Sequence, residues 1–553
     1  MVNSPLFDAI INALSNDRSF EAAADCMCTI FKDTREVDES IEIIQLIYPR
    51  ILALKPKLAE SAESEDQDTF KGLTRIFAEA GEAWTVMIAR LPNEFRGLVE
   101  LILESCARDR DREAIALTFL FWYEFKQMVT LDKYKEARNV YADVFANLVD
   151  IMIKHLEFPT PAGPNEDDLF DGDREQEEKF REFRHQMGDV LKDCCDVITA
   201  TECLAKSCNL IRQWISQWGS QATDANVPHW QELEAPLFSL RAMGRNVSPE
   251  ENVILRQVIP LIVQIPKHDK LQFQAIMALG RYTEWTAQHP EFLEPQLNFV
   301  IAGFNHSSKE VVRAAALAFR FFGADCKKLL QNHIEQLHGF YVSVIDKLPP
   351  ASQEEVTEGV ACVISAQPID RIYPIFKMFC DRIIKRMMTL ATGAKNQQDD
   401  DKSRLAVADN LQLVTIFVQS IQPYVSPNQE NPAVKYCQEI LPVMSTIAEN
   451  FTDSVPILET VCRCWRNMVL SYRTAILPLL STLAQQLAQG FQNTRQGCFL
   501  WATDSVLREF AVGAEFVDPA TSQAIYSFFE TQAVAFLRIM NSLPPGDLPD
   551  GKP

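Results

Sequence analysis

The centre of the chain repeats a helical pattern with a period close to 40 residues. In 274–304 and again in 313–345, an Ala-rich stretch is followed by a short polar turn and a second apolar stretch, and a third unit follows at 354–379. A period near 40 with two helices per unit is typical of HEAT repeats. A single helical hairpin cannot bury its apolar face alone, so such hairpins must stack on one another.

The rest of the chain has the same helical character. Apolar residues recur mainly at i, i+3, i+4 and i+7, and glycine is scarce, at 19 of 553 residues. We therefore predict an all-α fold, a HEAT-repeat α-solenoid superhelix that forms one continuous array over residues 1–553. At roughly 40–47 residues per repeat, the array would hold about a dozen repeats. Arrays of this kind offer extended surfaces to protein partners.

Two stretches interrupt the helical pattern. Residues 160–180 predict an acidic loop, because the part from Glu166 to Glu178 holds eight acids and one base, Arg174. Residues 392–404 are polar and without periodicity, which predicts a flexible insertion. The acidic loop is either a solvated loop or an electrostatic contact for a basic partner, with the candidate residues Glu166, Asp167, Asp168, Asp171 and Asp173.

The net charge of the chain limits the kinds of molecule that are expected to bind it. There are 75 Asp and Glu residues against 53 Lys and Arg residues, a net charge of −22. This excess repels the phosphates of nucleic acids, so we expect no direct nucleic-acid binding. It attracts basic proteins. Solubility of a large helical surface explains the same excess, so charge alone leaves both interpretations open.

Signatures of catalysis, metal binding and membrane insertion are missing from the sequence. It has no HExxH, GxSxG or GxxxxGK[ST] motif, and its eight histidines show no ligand spacing with cysteines or acids. Paired CxxC motifs are missing too, so we expect the fourteen cysteines to be reduced. The longest apolar run, 114–123, is too short to cross a bilayer, and the N-terminus does not resemble a signal peptide. We therefore predict an intracellular binding protein that is not an enzyme, does not insert into membranes and needs no cofactor or metal.

Residues 460–478, TVCRCWRNMVLSYRTAILP, place three arginines in an otherwise apolar segment. At 100° per residue on a helix, Arg463, Arg466 and Arg473 fall on one narrow face, and apolar residues cover the opposite side. Glu459 stands four residues before Arg463 and can pair with it, which leaves a solvated face as one interpretation. However, one carboxylate cannot satisfy three guanidinium groups, and arginine suits bidentate contact with phosphate. The other interpretation is a binding site for a phosphorylated Arg/Ser segment.

Six stretches along the chain together resemble a known family. They are EAAADCMCTIF (21–31), LTRIFAEAGEAW (73–84), IALTFLFWYEF (115–125), FREFRHQMGDVLKDCCDVI (180–198), HPEFLEPQLNFVIAGF (289–304) and ETVCRCWRNMV (459–469). In this order they resemble the transportin-SR (transportin-3-like) type of nuclear import receptor in the importin-β (karyopherin-β) superfamily. Members of that family are longer, so the resemblance implies a central fragment that lacks N-terminal and C-terminal repeats.

The resemblance implies a receptor that carries SR-type and other RNA-binding proteins into the nucleus and releases them when Ran-GTP binds. Its implied partners are Ran, cargo and FG nucleoporins, and its implied location is the cytoplasm and the nucleus, with shuttling through the nuclear pore. Arg463 and Arg466 fall on the family's cargo-binding helix, within the pattern C-R-C-x-R, and Arg473 lies beyond the close match. Thr460 and Leu470 stand where two more arginines are expected, so both phosphorylated Arg/Ser segments and RGG-like segments stay open as cargo.

Two other functions stay open at this point. A HEAT-repeat scaffold of another complex would not discriminate Ran-GTP from Ran-GDP. An exportin would bind cargo together with Ran-GTP, whereas an importin loses it. Within the resemblance, the acidic residues of 160–180 are candidates for a contact to Ran or to basic cargo.

Overall fold

The structure is a computed structural model that describes residues 5–16, 18–160, 169–170, 172–224, 226–395, 401–426, 429–510 and 517–542. This part of the chain is built from α-helices and short 3-10 helices, and one isolated β-bridge joins Thr223 and Asn226. The prediction of an all-α fold is confirmed. No described helix is both long enough and apolar enough to span a bilayer.

The chain divides into two compact units, Met1–Phe299 and Val300–Pro553. The helices of the first unit are α1 (Pro5–Ala13), α2 (Phe20–Asp33), α3 (Ile41–Leu52), α4 (Lys55–Glu63), α5 (Gln67–Ala83), α6 (Thr85–Arg90), α7 (Pro92–Arg108), α8 (Phe119–Val129), α9 (Lys135–His155), α10 (Arg174–Val197), α11 (Ala200–Trp218), α12 (Trp230–Met243), α13 (Leu255–Ile262), α14 (Asp269–Arg281) and α15 (Thr283–Gln288). Helix α16 (Leu293–Gly303) begins in the first unit and ends in the second.

The helices of the first unit pack in two layers. In one layer α2, α5, α8, α10, α12 and α14 each pack on the next, and in the other layer α7, α9, α11 and α13 do the same. The chain passes from one layer to the other at successive helices from α7 to α14. Stacked two-helix hairpins produce this alternation, as the repeat in the sequence predicts.

Buried tyrosine hydroxyls join one hairpin of the first unit to the preceding one. The hydroxyl of Tyr141 on α9 donates to the carbonyl of Pro92 on α7 over 2.8 Å, and that of Tyr282 after α14 donates to Leu240 on α12 over 2.5 Å. Both phenols are almost completely removed from solvent. Because each hydroxyl is satisfied inside the protein, its burial costs little, and each bond fixes the register between neighbouring hairpins.

The second unit repeats this arrangement. Its helices are α17 (Lys309–Asp325), α18 (Lys327–Leu330), α19 (Ile334–Val344), α20 (Pro350–Ser365), α21 (Ile369–Lys395), α22 (Asp401–Ser420), α23 (Pro432–Asn450), α24 (Val455–Tyr472), α25 (Leu477–Thr494), α26 (Gly497–Phe510) and α27 (Pro519–Ser542). One layer contains α17, α20, α22, α24 and α26, and the other contains α21, α23 and α25. Helices α22 and α24 thus each pack between two helices of their own layer and also contact a helix of the other layer.

Helices α17 and α20 approach most closely where two glycines meet. A Cβ atom built on Gly323 would lie 2.3 Å from the carbonyl oxygen of Gly359, and one built on Gly359 would lie 3.0 Å from the Cα of Arg320. Contacts this short leave no space for a side chain. The two backbones therefore touch directly.

The two interruptions expected from the sequence contain more helix than the composition suggests. Of the polar stretch 392–404, residues 392–395 belong to α21 and 401–404 belong to α22, while 396–400 lie outside the described residues. Arg404 on α22 makes an ion pair with Asp453, with 2.9 Å between Nη1 and Oδ2. The acidic stretch 160–180 gives way to α10 at Arg174. One continuous array over 1–553 stays a prediction.

Candidate functional site

Helix α24 carries two of the predicted arginines on the solvent side of a closely packed helix. Pro456 stands in its first turn, where a missing N–H breaks no helical hydrogen bond. The helix packs on α22 and α26 in its own layer. The side predicted to be apolar is buried, and its residues are Val461, Cys462, Trp465, Met468, Val469 and Tyr472. Burial of this side forces the opposite side to face solvent.

Arg463 is exposed, and the one group that bonds its side chain within the described residues is neutral. Its Nη1 donates to Oε1 of Gln412 on α22 over 3.2 Å. Glu459, the carboxylate that the sequence places one turn earlier, forms no ion pair with it in the described part of the chain. The charge of Arg463 is therefore not neutralised by a neighbouring acid.

Arg466 is half-buried and stacks on an aromatic ring. Its guanidinium carbon lies 4.7 Å from the ring centroid of Trp501 on α26, and its Nε donates to the hydroxyl of Ser505 over 2.9 Å. Trp501 is itself 42% exposed. Stacking holds the guanidinium plane in place. Neither partner is an acid, so this positive charge is not neutralised either.

Arg473 does not continue the row. Helix α24 ends at Tyr472, and Arg473 takes φ 45° and ψ −125°, which turns the chain out of the helix. Few residues with a side chain adopt a positive φ. The prediction of one helical face with three arginines is wrong in its third member, because helical angles no longer apply beyond Tyr472. Nε of Arg473 lies 3.6 Å from Oε1 of Glu509, so this arginine, unlike Arg463 and Arg466, has an acidic partner.

Most of the predicted acidic site cannot be placed. Glu166, Asp167, Asp168 and Asp171 lie outside the described residues. Asp173 caps α10: its Oδ1 accepts from the backbone N–H groups of residues 175 and 176 over 2.9 and 3.2 Å. A carboxylate in this position satisfies free N–H groups and opposes the positive end of the helix dipole. Asp173 therefore has a structural role.

The sequence prediction missed the residues that surround the arginines. Gln412 and Trp501 lie on the two helices that flank α24, far from it in sequence. The sequence did contain a signal for Trp501. If α26 is aligned beside α24 as its neighbour in the same layer, Trp501 falls next to Arg466. Arg463 and Arg466 are three residues apart, a spacing that sets Cβ atoms roughly 5–6 Å apart on a helix. Two guanidinium groups without acidic partners, beside an exposed ring, suit a phosphate or carboxylate in a flexible peptide.

Family models match three parts of the chain. They are described as the second, third and fourth TPR domains of transportin-3/importin-13, and they match residues 65–155, 252–339 and 431–534. Together they span about half of the chain. The match at 431–534 includes all of α24 and the helices that flank it on its C-terminal side.

Curated relatives match nearly the whole chain. An uncharacterised protein of Schizosaccharomyces pombe is 38% identical over 99% of this chain and 57% of its own length. The mRNA transport regulator MTR10 of Saccharomyces cerevisiae is 31% identical over 97% of this chain and 56% of its own length. Transportin MOS14 of Arabidopsis thaliana is 22% identical, over 98% of this chain and 56% of its own length. The chain thus spans little more than half the length of these relatives. These shares do not place it at the centre of a longer relative, so the prediction of a central fragment is not borne out.

Solved structures with the same fold confirm the solenoid prediction. Importin-13 in its cytosolic state aligns with a TM-score of 0.78 at 15% identity, over 98% of this chain and 63% of that chain. A mutant of Kap121p aligns with a TM-score of 0.59 at 12% identity, over 98% of this chain and 54% of that chain. At such low identity these likenesses establish the fold alone.

Proposed function

This chain belongs to the importin-β (karyopherin) family, and on that premise we propose that it acts as a nuclear transport receptor of the importin type. Its cargo would be RNA-binding proteins, SR-type proteins among them, and Ran-GTP would release them in the nucleus. It would shuttle between the cytoplasm and the nucleus. The relatives named above support this proposal through MTR10, a regulator of mRNA transport, and MOS14, a transportin.

The proposed activity is binding without catalysis. MTR10, MOS14 and importin-13 are named for transport and not for an enzymatic reaction. No cofactor is part of the proposal. Exchange of cargo and Ran-GTP requires only that the two ligands favour different states of one protein.

The observation that carries the proposal is the pair of arginines on α24. Arg463 is exposed and bonded to an amide, and Arg466 is held on Trp501, so both charges are available to a ligand. We propose that they contact a phosphorylated Arg/Ser segment or an RGG-like segment of the cargo. Arg473 lies outside the helix beside Glu509, and we assign it a weaker contribution to the same site.

The remaining proposed contacts follow from charge and shape. We propose that Glu166, Asp167, Asp168 and Asp171, with Asp173, contact Ran or the basic part of a cargo. FG nucleoporins are proposed partners as well, because a cleft of about 620 Å³ beside α11 and α13 offers apolar walls to a phenylalanine. Its apolar lining includes Trp214, Ile215, Leu233, Leu261 and Ile265.

The arginine pair can be tested by fluorescence anisotropy with a labelled Arg/Ser peptide, phosphorylated and unphosphorylated. We expect Arg463→Glu/Arg466→Glu to weaken binding of the phosphorylated peptide at least tenfold, about 1.4 kcal/mol. The matched control is Arg212→Glu/Arg538→Glu, which makes the same change of charge at two exposed arginines on α11 and α27. Circular dichroism establishes that all variants keep their helical content. If the two double variants bind the phosphorylated peptide equally well, the arginine side of α24 is only a solvated surface and does not bind cargo.

The transport proposal itself is tested by adding Ran-GTP or Ran-GDP to the preformed peptide complex. An importin loses the peptide to Ran-GTP only. Release by neither form points to a scaffold, and tighter peptide binding with Ran-GTP points to an exportin.

A further inference from the structure

A basic pocket of about 360 Å³ lies between α10, α12 and α14 of the first unit. Its lining includes five side chains that are cationic or can become so: His185, Lys192, Arg241, Arg245 and Arg281. The lining includes one acid, Asp189, whose Oδ1 accepts from Nζ of Lys192 over 2.7 Å. The pocket is therefore positive in a chain whose net charge is −22.

The three arginines of this pocket are not paired with an acid in the described part of the chain. Arg241, Arg245 and Arg281 form neither an ion pair nor a side-chain hydrogen bond within the described ranges. Burial and the nearby charge of Arg184 lower the pKa of Arg241 against the opposing charge of Glu234. Burial and the charge of Arg245 lower the pKa of Arg281 against the opposing charge of Glu284. The fold thus holds like charges close together in a partly desolvated place, which is unfavourable until an anion binds.

The acid whose charge acts on Arg241, Glu234, already has another partner. Glu234 on α12 accepts from Nη2 of Arg184 over 2.6 Å, and both side chains are almost fully buried. The guanidinium of Arg184 also lies 4.5 Å from the ring centroid of Phe158 and 4.2 Å from that of Phe238. Glu234 is thus engaged with Arg184, and it forms no ion pair with Arg241 in the described part of the chain.

Close packing, and not an ion pair, positions Arg281. A Cβ atom built on Gly244 would lie 2.3 Å from Cγ of Arg281. The absence of a side chain at Gly244 lets the aliphatic part of Arg281 lie directly against the backbone after α12. The aliphatic part of Arg281 is therefore packed in the pocket wall before any ligand arrives, and less conformational entropy is lost on binding.

We propose that this pocket binds the phosphate of a phosphorylated serine or threonine in a partner protein. A phosphomonoester carries nearly two negative charges at neutral pH and three acceptor oxygens, and arginine guanidinium groups match its geometry. The volume admits one phosphorylated side chain with part of its backbone. The net charge of −22 repels a continuous nucleic-acid backbone, which favours a single phosphate on a protein segment over RNA. The proposal does not depend on the arginines of α24 or on transport.

The test uses the full chain with Arg463→Glu/Arg466→Glu in the background, so that α24 does not contribute. The probe is a labelled peptide with one phosphoserine and no arginine, with its unphosphorylated twin and a single-stranded RNA of ten nucleotides as comparisons. We expect the phosphopeptide to bind at least tenfold more tightly than the twin. We expect Arg241→Gln/Arg245→Gln to abolish that preference, and Arg212→Gln, at an exposed arginine outside the pocket, to preserve it.

A second variant protects the test against misfolding. Arg245→Gln changes an exposed side chain with no partner to lose, so the fold tolerates it, and we expect at least a threefold loss of phosphopeptide affinity. Equal affinity for the two peptides overturns the proposal, as does native-like binding by both pocket variants. RNA binding that is lost in the pocket variants, without phosphopeptide binding, assigns the pocket to nucleic acid instead.

Discussion

Arg184 and Glu234 form a buried ion pair that is enclosed by aromatic rings. Desolvation raises the pKa of Glu234, and Arg184 opposes this rise. Such a pair contributes little net stability compared with apolar side chains of similar shape, but either member alone is strongly unfavourable. The pair therefore acts as a specific link between α10 and α12 beneath the basic pocket.

We predict that Arg184→Met destabilises the first unit by about 3–5 kcal/mol, because it leaves the Glu234 carboxylate buried and unpaired. Arg184→Met/Glu234→Leu should recover most of that loss. Urea denaturation followed by circular dichroism measures both. A double variant as unstable as the single one would assign the loss to the missing cation–ring contacts instead.

Glu82 on α5 makes the stability of the chain depend on pH. Burial, with the charges of Glu79 and Glu124, raises the pKa of Glu82 from 4.5 to about 7. Between pH 4.5 and 7 the folded chain keeps a proton that the unfolded chain has lost. The contribution of Glu82 to the free energy of unfolding therefore falls as the pH rises through that window.

We predict that Glu82→Gln raises the stability at pH 8 by about 1–2 kcal/mol, allowing for screening of a part-exposed group, and has little effect near pH 4.5. Urea denaturation of the native chain and the variant at both values measures the difference. An equal gain in stability at pH 8 and pH 4.5 would mean that the ionisation of Glu82 is not its cause.

At the scale of the helices, periodicity predicts their presence and their apolar sides well. The buried side of α24 agrees residue by residue with the sequence prediction. The end of α24 was not predicted, because it depends on Arg473 taking a positive φ, and neither glycine nor proline marks the position. The composition of 392–404 suggests a flexible loop, but the contact of Arg404 with Asp453 joins distant residues and is invisible to local rules.

The contact of α17 with α20 gives a prediction at this scale. Gly323→Ala places a methyl group 2.3 Å from a backbone carbonyl oxygen of α20, so the helices must separate. We expect a loss of about 1–3 kcal/mol, in spite of the higher helix propensity of alanine. Gly339→Ala is the matched control, since a Cβ atom at Gly339 on α19 meets nothing within 4 Å. Thermal unfolding distinguishes the two, and equal melting temperatures would mean that α17 and α20 separate at no cost.

For the whole molecule, the charge that could be read from the sequence predicts how partners approach. A net charge of −22 attracts basic peptides over a distance set by the ionic strength. What could not be predicted is where positive charge collects against this background, because the pocket assembles arginines from α12, α14 and the turn between helices. Their proximity depends on how the hairpins stack. The repeat in the sequence predicts that hairpins stack, but it does not predict which side chains meet.

We predict that the association rate of a basic, unphosphorylated RGG-like peptide falls at least tenfold between about 0.1 M and 1 M salt, because the Debye length shrinks from about 10 Å to about 3 Å. Stopped-flow fluorescence measures this rate. A neutral peptide of the same length serves as the control. A rate that is insensitive to salt would show that the acidic surface does not steer basic partners.

The glycine contact between α17 and α20 makes that part of the second unit mechanically stiff. Most helix pairs meet through side chains, which can change rotamer, whereas here a backbone carbonyl meets backbone with no side chain between them. When the second unit is bent or stretched, strain collects in the helix pairs separated by side chains, such as α21 and α23. The stiffness of the second unit therefore differs from one helix pair to the next.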